Sequence, residues 1–292
     1  MSEDQKLRLA LPKGSLQKTT IEVFKRAGYS IRVSDRSYYP SIDDDEIECI
    51  LIRPQEMARY IEQGVMDCGI TGRDWVIESG ADVAELADLK APLPNYVPVR
   101  WVLAVKEDSE FQTPQDLEGM RIATEVMGLT QAYLAKEGFS AQLEFSWGAT
   151  EVKPPVLADA IVDVTETGSS LRANRLRVID VVQESTPRFV ANHDAARDPW
   201  KRAKMDRMLM LLSGVIAATT RVGLSMNVPR EQLDEVLALL PNGAPTLSPL
   251  ADESWVDVFV IIEESRVREI VPLLHDAGAR VLVETTLNKI ID

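Results

Sequence analysis

Two hydrophobic periods alternate along the chain. Short apolar runs, LRLALP (7–12), IECILI (47–52) and MDCGITG (66–72), predict strands. Between them SLQKTTIEVFKRAG (15–28) and PQEMARYIEQG (54–64) carry apolar residues at helical spacing, and a short helix is expected from Asp74. Both long segments end at glycine and the second begins with proline, the usual punctuation of helices. This alternation predicts a largely parallel sheet with helices on both faces. A second series repeats it. RWVLAVK (100–106), RIATEV (121–126), LEFSW (143–147), DAIVDVT (159–165), LRVIDVV (176–182) and RFVANH (188–193) read as strands, and LTQAYLAKEG (129–138) as a helix. A long helix covers 199–222.

The organisation follows from the breaks. APLPNYVP (91–98) holds three prolines and predicts a crossing between two α/β lobes. With a return near 185–192, residues 1–97 and 185–215 form one lobe and 98–184 the other, and the cleft between them is the expected ligand location. Beyond 216 the pattern becomes β-α-β-α-β: LSMNV (224–228), REQLDEVLALLP (230–241), WVDVFVIIEE (255–264), RVREIVPLLHDAG (266–278) and RVLVETTL (280–287). That resembles a small ferredoxin-like domain over 216–292, with PTLSPLAD (245–252) joining its first helix to its second strand. WVDVFVII is nearly all apolar, so both faces of that strand are expected to be covered, which predicts a homo-oligomer built partly through residues 223–292.

Composition narrows the function. The 292 residues are 45% hydrophobic and 27% charged, enough for real cores. The net charge of −14 repels a phosphate backbone, so general nucleic-acid binding is not expected. An anionic ligand needs local donors instead. Cys49 and Cys68 sit in apolar runs and read as buried thiols. MSEDQKLRLALP has no signal-peptide pattern and no apolar run reaches the roughly 20 residues of a membrane span, so a cytoplasmic location is expected.

The chemistry gathers at strand-to-helix turns. In DAIVDVTETGSSL (159–171) a strand that reads as buried at Ala160, Ile161, Val162 and Val164 turns into Thr165, Glu166, Thr167, Gly168, Ser169 and Ser170. Unpaired helix N–H groups, a glycine and hydroxyl donors make an anion site, and Asp163 is placed to hold sugar hydroxyls or a metal-bound group. An N-capped turn is the plainer reading of any one of these residues. No GxxxxGK[ST] occurs; the loop is instead similar to the one phosphoribosyltransferases use for a ribose 5-phosphate, with one acid where that type has an adjacent pair. LPKGSL (11–16) and GITGRDW (69–75) are two more such turns, with Lys13, Gly14 and Ser15 in one and Thr71, Gly72, Arg73 and Asp74 in the other. The acidic run Asp43 to Glu46 reads as a solvated loop.

LPKGSL, MDCGITGRDW, RIATE and LADAIVDVTETGSSLRANRL, with PTLSPLAD and GARVLVETTLNKII, together resemble the ATP phosphoribosyltransferase family of histidine biosynthesis, in its long form, over nearly the whole chain. The resemblance implies an α/β bilobal catalytic region like type II periplasmic binding proteins plus a C-terminal ACT-like domain. It implies condensation of ATP with phosphoribosyl pyrophosphate, Mg²⁺ held mainly by substrate phosphates, a hexamer, and inhibition by histidine. By motif, Asp163 to Ser170 would hold the phosphoribosyl group. Lys13 to Ser15 and Thr71 to Asp74 would border pyrophosphate and ATP, with Arg121 and Glu125 facing the cleft. A histidine site is implied near Ser225, Thr246, Ser248 and Ala279, where Ser225 replaces the acid some relatives carry. Positioning and electrostatics would carry catalysis, since a ring nitrogen of adenine attacks without losing a proton; His193 and His275 are in no catalytic-looking motif. Two rivals are a prephenate dehydratase-like enzyme, which has a similar bilobal-plus-ACT plan, answers to an amino acid and carries a Thr-Arg-Phe motif distantly similar to TPRF (186–189), and a solute-binding protein. Neither accounts for the hydroxyl-rich loop together with the C-terminal domain.

Overall fold

A computed structural model describes residues 5–34, 37–90, 99–241 and 245–291. The proline-rich stretch 91–98 lies outside them. The elements in chain order are β1 (Leu7–Pro12), α1 (Ser15–Ala27), β2 (Ile31–Arg32), β3 (Ser41–Ile42), β4 (Ile47–Ile52), α2 (Pro54–Glu62), β5 (Cys68–Gly72), α3 (Arg73–Ser79) and β6 (Ala84–Asp88). Then come β7 (Val99–Lys106), β8 (Arg121–Thr124), α4 (Met127–Glu137), β9 (Gln142–Phe145), β10 (Ala160–Thr165), α5 (Ser169–Ala173), β11 (Leu176–Ser185) and β12 (Pro187–Ala191). The chain continues through α6 (His193–Arg197), α7 (Pro199–Ala218), β13 (Arg221–Pro229), α8 (Leu233–Leu239), β14 (Thr246–Pro249), β15 (Trp255–Glu263), α9 (Glu264–Asp276) and β16 (Arg280–Thr286).

The chain divides into two compact units, the larger ending at Asp206 and the smaller resuming at Arg207. The larger holds two five-stranded sheets, ordered β4-β1-β5-β12-β6 and β11-β7-β10-β8-β9. Each is largely parallel, as the alternation predicts, with four strands in one direction and a single strand reversed. β1 pairs parallel with β4 and β5, but β12 lies antiparallel between β5 and β6. In the second sheet β10 and β9 run parallel to β8, while β7 is antiparallel to both β10 and β11. The reversed strands are β7, which opens the second sheet, and β12, which re-enters the first at Pro187 after β11 ends the second at Ser185. A returning strand inserted in this way is the arrangement of type II periplasmic binding proteins.

Central parallel strands are covered on both faces and so are apolar at nearly every position, as β1 is. The first sheet packs Ala10 and Val190 against Met57, Ala58 and Ile61 of α2. The second packs Trp101, Leu103, Ile122 and Val162 against Leu129, Tyr133 and Leu134 of α4. Beneath the first sheet Asp67, 1% exposed, accepts hydrogen bonds from Arg8 and Lys201 at 2.8 Å. Burial works to raise the Asp67 pKa, but these donors outweigh it and hold the carboxyl below its ordinary range. The acidic run is not a free loop either. Lys204 is held by Asp44 at 2.7 Å and Glu46 at 2.6 Å, and Asp43 accepts the Ser30 N–H at 2.6 Å.

The smaller unit carries a four-stranded antiparallel sheet ordered β14-β15-β13-β16, backed on one face by α8 and α9. The order is ferredoxin-like, as the sequence suggests, with one correction. PTLSPLAD is not only a connector: four of its residues form β14, too short a run to read as a strand from periodicity. β15 also alternates more cleanly than its composition implies. Val256, Val258, Val260 and Ile262 are buried, while Ile261 on the other face is 40% exposed. Among the described residues no helix is long and apolar enough to cross a membrane.

Candidate active site

Each sheet of the larger unit brings chemistry to the carboxyl ends of its parallel strands. In the first, Pro12 is level with Ile52, and Ala10 with Gly69. That register lines up three turns on one edge: Lys13 with Gly14 and Ser15, Arg53, and Thr71 to Arg73. The Lys13 N–H donates to Ile52 O at 2.8 Å, which ties its turn to β4. Its Nζ lies 3.6 Å from the centre of the Tyr38 ring. Lys13 lowers the Tyr38 phenol from its ordinary range, and the charge of Arg53 adds to this. Arg53 was not singled out from the sequence; a cation before a helix-opening proline at a strand end was its signal.

Two residues of the GITGRDW turn face inward. Thr71 is fully buried and its Oγ1 donates to Pro54 O at 3.0 Å. Asp74, expected among the ATP contacts, is 3% exposed and its carboxylate is taken up within the protein by Trp101 and Ser185. Arg73 remains exposed, 3.7 Å from Glu85.

In the second sheet Val162 is level with Thr124, so Asp163 and Glu125 follow at the same edge. Arg121 does not join them. It begins β8; its N–H donates to Asp159 Oδ2 and its carbonyl accepts the Asp159 N–H, and since Asp159 precedes β10, Arg121 stands at the opposite end of the sheet. Val164 is 40% exposed, not buried, because the core ends at Val162. The Asp163 carboxyl is pushed up to about 6, chiefly by burial, with the charge of Glu151 adding and a hydrogen bond from the Val164 N–H opposing. Glu125 is raised by burial and then by the charges of Asp163, Asp74 and Glu78. This edge therefore holds carboxylates that a cation would stabilise.

The loop from Thr165 to Ser170 is closed by its own groups. Thr165 Oγ1 accepts the Gly168 N–H at 2.8 Å, so this hydroxyl shapes the turn. Thr167 Oγ1 donates to Ser169 Oγ at 3.1 Å, and Ser170 Oγ donates to Glu151 Oε1 at 3.0 Å. Glu166 and Thr167 are exposed. Gly168 has φ +72°, a left-handed conformation that a side chain strains, and a Cβ there would lie 2.9 Å from Arg172 Nη1. Arg172 itself donates to Thr167 O at 3.0 Å and so adds a guanidinium against the loop. Glu151 and Arg172 were both missed in the sequence. Glu151 lies far from the loop in the chain, whereas Arg172, four residues after Gly168, was legible from helix spacing. His193 pairs with Asp82 at 2.8 Å in α6.

In the smaller unit Ser225 and Thr246 are both level with Phe259, and Ser248 with Asp257, so they share the sheet face away from the helices. Ser225 Oγ donates to Asp257 Oδ1 at 2.8 Å. Ala279 is elsewhere. It is fully buried in the core; its N–H donates to Leu274 O and its carbonyl accepts from Arg280, so its backbone groups are already engaged.

Comparisons with known proteins agree with this architecture. The ATP phosphoribosyltransferase family model matches residues 53–214, and the model of the HisG C-terminal domain matches residues 218–289. An ATP phosphoribosyltransferase of Thermodesulfovibrio yellowstonii is 55% identical over 99% of both chains. One of Prosthecochloris aestuarii is 55% identical over 99% of this chain and 98% of its own. A solved ATP phosphoribosyl transferase (HisG:HisZ) complex from Thermotoga maritima contains a chain with TM-score 0.60 and 26% identity, covering 71% of this chain and 98% of that one. Two family models and full-length similarity leave one assignment: this enzyme belongs to the ATP phosphoribosyltransferase family, in the long form that carries the C-terminal domain.

Proposed function

We propose that the chain joins ATP to phosphoribosyl pyrophosphate, the first step of histidine biosynthesis, and that the two half-sites divide the substrates. The observation that carries this reading is the DVTETGSSL turn: a left-handed glycine, exposed hydroxyls and a guanidinium at a strand's carboxyl end. Asp163, Thr165, Glu166, Thr167, Gly168, Ser169 and Ser170 form the phosphoribosyl half, with Asp163 toward the ribose hydroxyls and Arg172 offsetting phosphate charge. Lys13, Gly14 and Ser15, with Arg53, Gly72 and Arg73, form the ATP and pyrophosphate half. The N1 lone pair of adenine attacks the ribose anomeric carbon; a C–N bond forms, the C–O bond to pyrophosphate breaks, and no proton need move before attack. Catalysis is then alignment of two bound substrates plus stabilisation of separating charge.

Mg²⁺ suits this donor set. Among the described residues no three acids, histidines or cysteines lie close enough to cage a metal. Asp163 and Glu125, destabilised as anions by burial and by nearby charge, are the groups that would face a cation carried by the phosphates. When bound, the ion offsets the charge of departing pyrophosphate.

For the C-terminal domain the same reading places inhibitory histidine on the outer sheet face near Ser225, Thr246 and Ser248. Asp257, bonded to Ser225, supplies the carboxylate for the ligand amine that a serine lacks. The exposed apolar residues of this face, Ile261 and Val283, support assembly through it, with a hexamer as the expected state. Light scattering checks assembly, and a report of 32.5 kDa monomers alone would contradict it. Following product absorbance after mixing enzyme, ATP, phosphoribosyl pyrophosphate and Mg²⁺ tests the reaction. Millimolar histidine should slow the wild type and leave Asp257→Ala unaffected.

A further inference from the structure

The two half-sites lie on different sheets, so something must set the distance between them. The contacts around α3 are suited to that. α3 follows β5 of the first sheet, yet Trp75 and Ile77 pack on the core of the second, while Val76 between them belongs to the core of the first. At its start, Asp74 Oδ2 accepts from Trp101 Nε1 of β7 at 2.7 Å. Asp74 Oδ1 accepts from Ser185 Oγ, the last residue of β11, at 2.8 Å, and Ser185 Oγ accepts the Asp74 N–H at 3.1 Å. The Trp75 and Trp101 rings meet edge to face with centroids 5.8 Å apart. One buried carboxylate thus ties the first sheet to two strands of the second, at the edge where the half-sites stand. Val164, next to Asp163, pairs with Trp101 itself.

Two glycines make room for this arrangement. Gly72 has φ −69°, open to any residue, but a Cβ there would lie 2.1 Å from Asp74 Oδ1 and 3.4 Å from Ser185 Oγ. Its glycine is required by space, not by conformation. Further along α3, Glu78 Oε2 accepts the Leu129 N–H of α4 at 2.9 Å. A Cβ on Gly128 would lie 2.9 Å from Glu78 O. The helices therefore meet at backbone distance just after Glu125, which belongs to the second half-site.

We propose that Asp74 is a positioning residue: through Trp101 and Ser185 it fixes the angle between the two sheets, and so the alignment of adenine with the anomeric carbon. This rests on the division of substrates proposed above. Binding within each half uses groups of one sheet, whereas attack depends on both. Loosening the clasp should therefore lower kcat more than it changes either KM. A misplacement of about 1 Å costs on the order of 100-fold in rate.

The test compares wild type with Asp74→Ala, Asp74→Asn and Gly128→Ala as full chains. Asp74→Ala is expected to lose about 10-fold or more in kcat, with each KM within about threefold. Asp74→Asn, which keeps an acceptor for the Trp101 N–H, should recover most of the loss. Gly128→Ala leaves Asp74 intact but forces α3 from α4, and should lower kcat in the same way. Circular dichroism reads the Trp75–Trp101 couplet without substrate, and it should weaken in Asp74→Ala and return in Asp74→Asn. Folded Asp74→Ala with wild-type kcat, or with KM raised and kcat unchanged, would overturn the proposal, as would an unaltered couplet. An inactive wild type is a different failure, that of the functional reading, and the couplet still decides whether Asp74 sets the geometry.

Discussion

Asp163 makes the loop sensitive to pH in a calculable direction. Its folded pKa of about 6 lies above the ordinary aspartate value of about 3.9. The ionised form is thus the disfavoured one in the free enzyme, and its cost to stability appears as pH rises from 4 toward 6 and is complete above about 6. Asp163→Asn should therefore melt higher than wild type at pH 8 and about equally at pH 4, as scanning calorimetry would show. Ligand binding runs the other way. Protonation below about pH 6 removes the charge that meets the phosphoribosyl group and its cation, so wild-type affinity should fall there while Asp163→Asn stays weak and flat. Neighbouring positions are separable by calorimetric titration. Thr167→Ala removes one hydroxyl and should weaken binding by about 1–3 kcal/mol. Gly168→Glu adds bulk and negative charge against Arg172 and should abolish it. Arg172→Gln should weaken binding mainly at low salt, since an exposed charge is screened. At this scale the sequence was most legible where chemistry is local. Asp163 and the residues from Thr165 to Ser170 lie within one stretch, 163–170, so their proximity needed no fold. Asp74 and Thr71 sit in as recognisable a motif, but their inward direction depends on Trp101, Ser185 and Pro54, distant in the chain.

Strands and helices were readable wherever apolar periodicity ran for a full element. The lost ones are two to five residues long, such as β2, β3, β6 and β14, where no period can be established. Strand direction was legible for all but one strand of each large sheet, the reversed β12 and β7. An apolar run says that both faces are covered, not which way the neighbour runs, and the reversed β7 and β12 are as apolar at their centres as the parallel strands. Direction also corrects the site, because register places Arg121 at the far end from Glu125 although four residues separate them. The knot beneath β1 gives a stability prediction for an element. Asp67 keeps its carboxyl below the usual range against the opposing effect of burial, through Arg8 and Lys201. Its contribution is therefore present above about pH 4 and lost as pH falls through the lowered folded value. Asp67→Ala should cost about 1–3 kcal/mol in urea unfolding at pH 7, discounted because both cations remain partly exposed.

The whole molecule separates an anion-binding problem from an acidic surface. A net charge of −14 gives no general attraction for two polyphosphate substrates, so the donors must be local: Lys13 and Arg53 on one sheet, Arg172 and the hydroxyl loop on the other. On the function proposed above, these two sets hold ATP and phosphoribosyl pyrophosphate for direct displacement. Single-turnover mixing of enzyme with both substrates and Mg²⁺, following nucleotide product and released pyrophosphate together, tests it most directly. Equal amounts of phosphoribosyl-ATP and pyrophosphate, appearing at one rate and only when both substrates are present, are predicted. Pyrophosphate release without ATP, or no product at saturating substrates, would contradict the account.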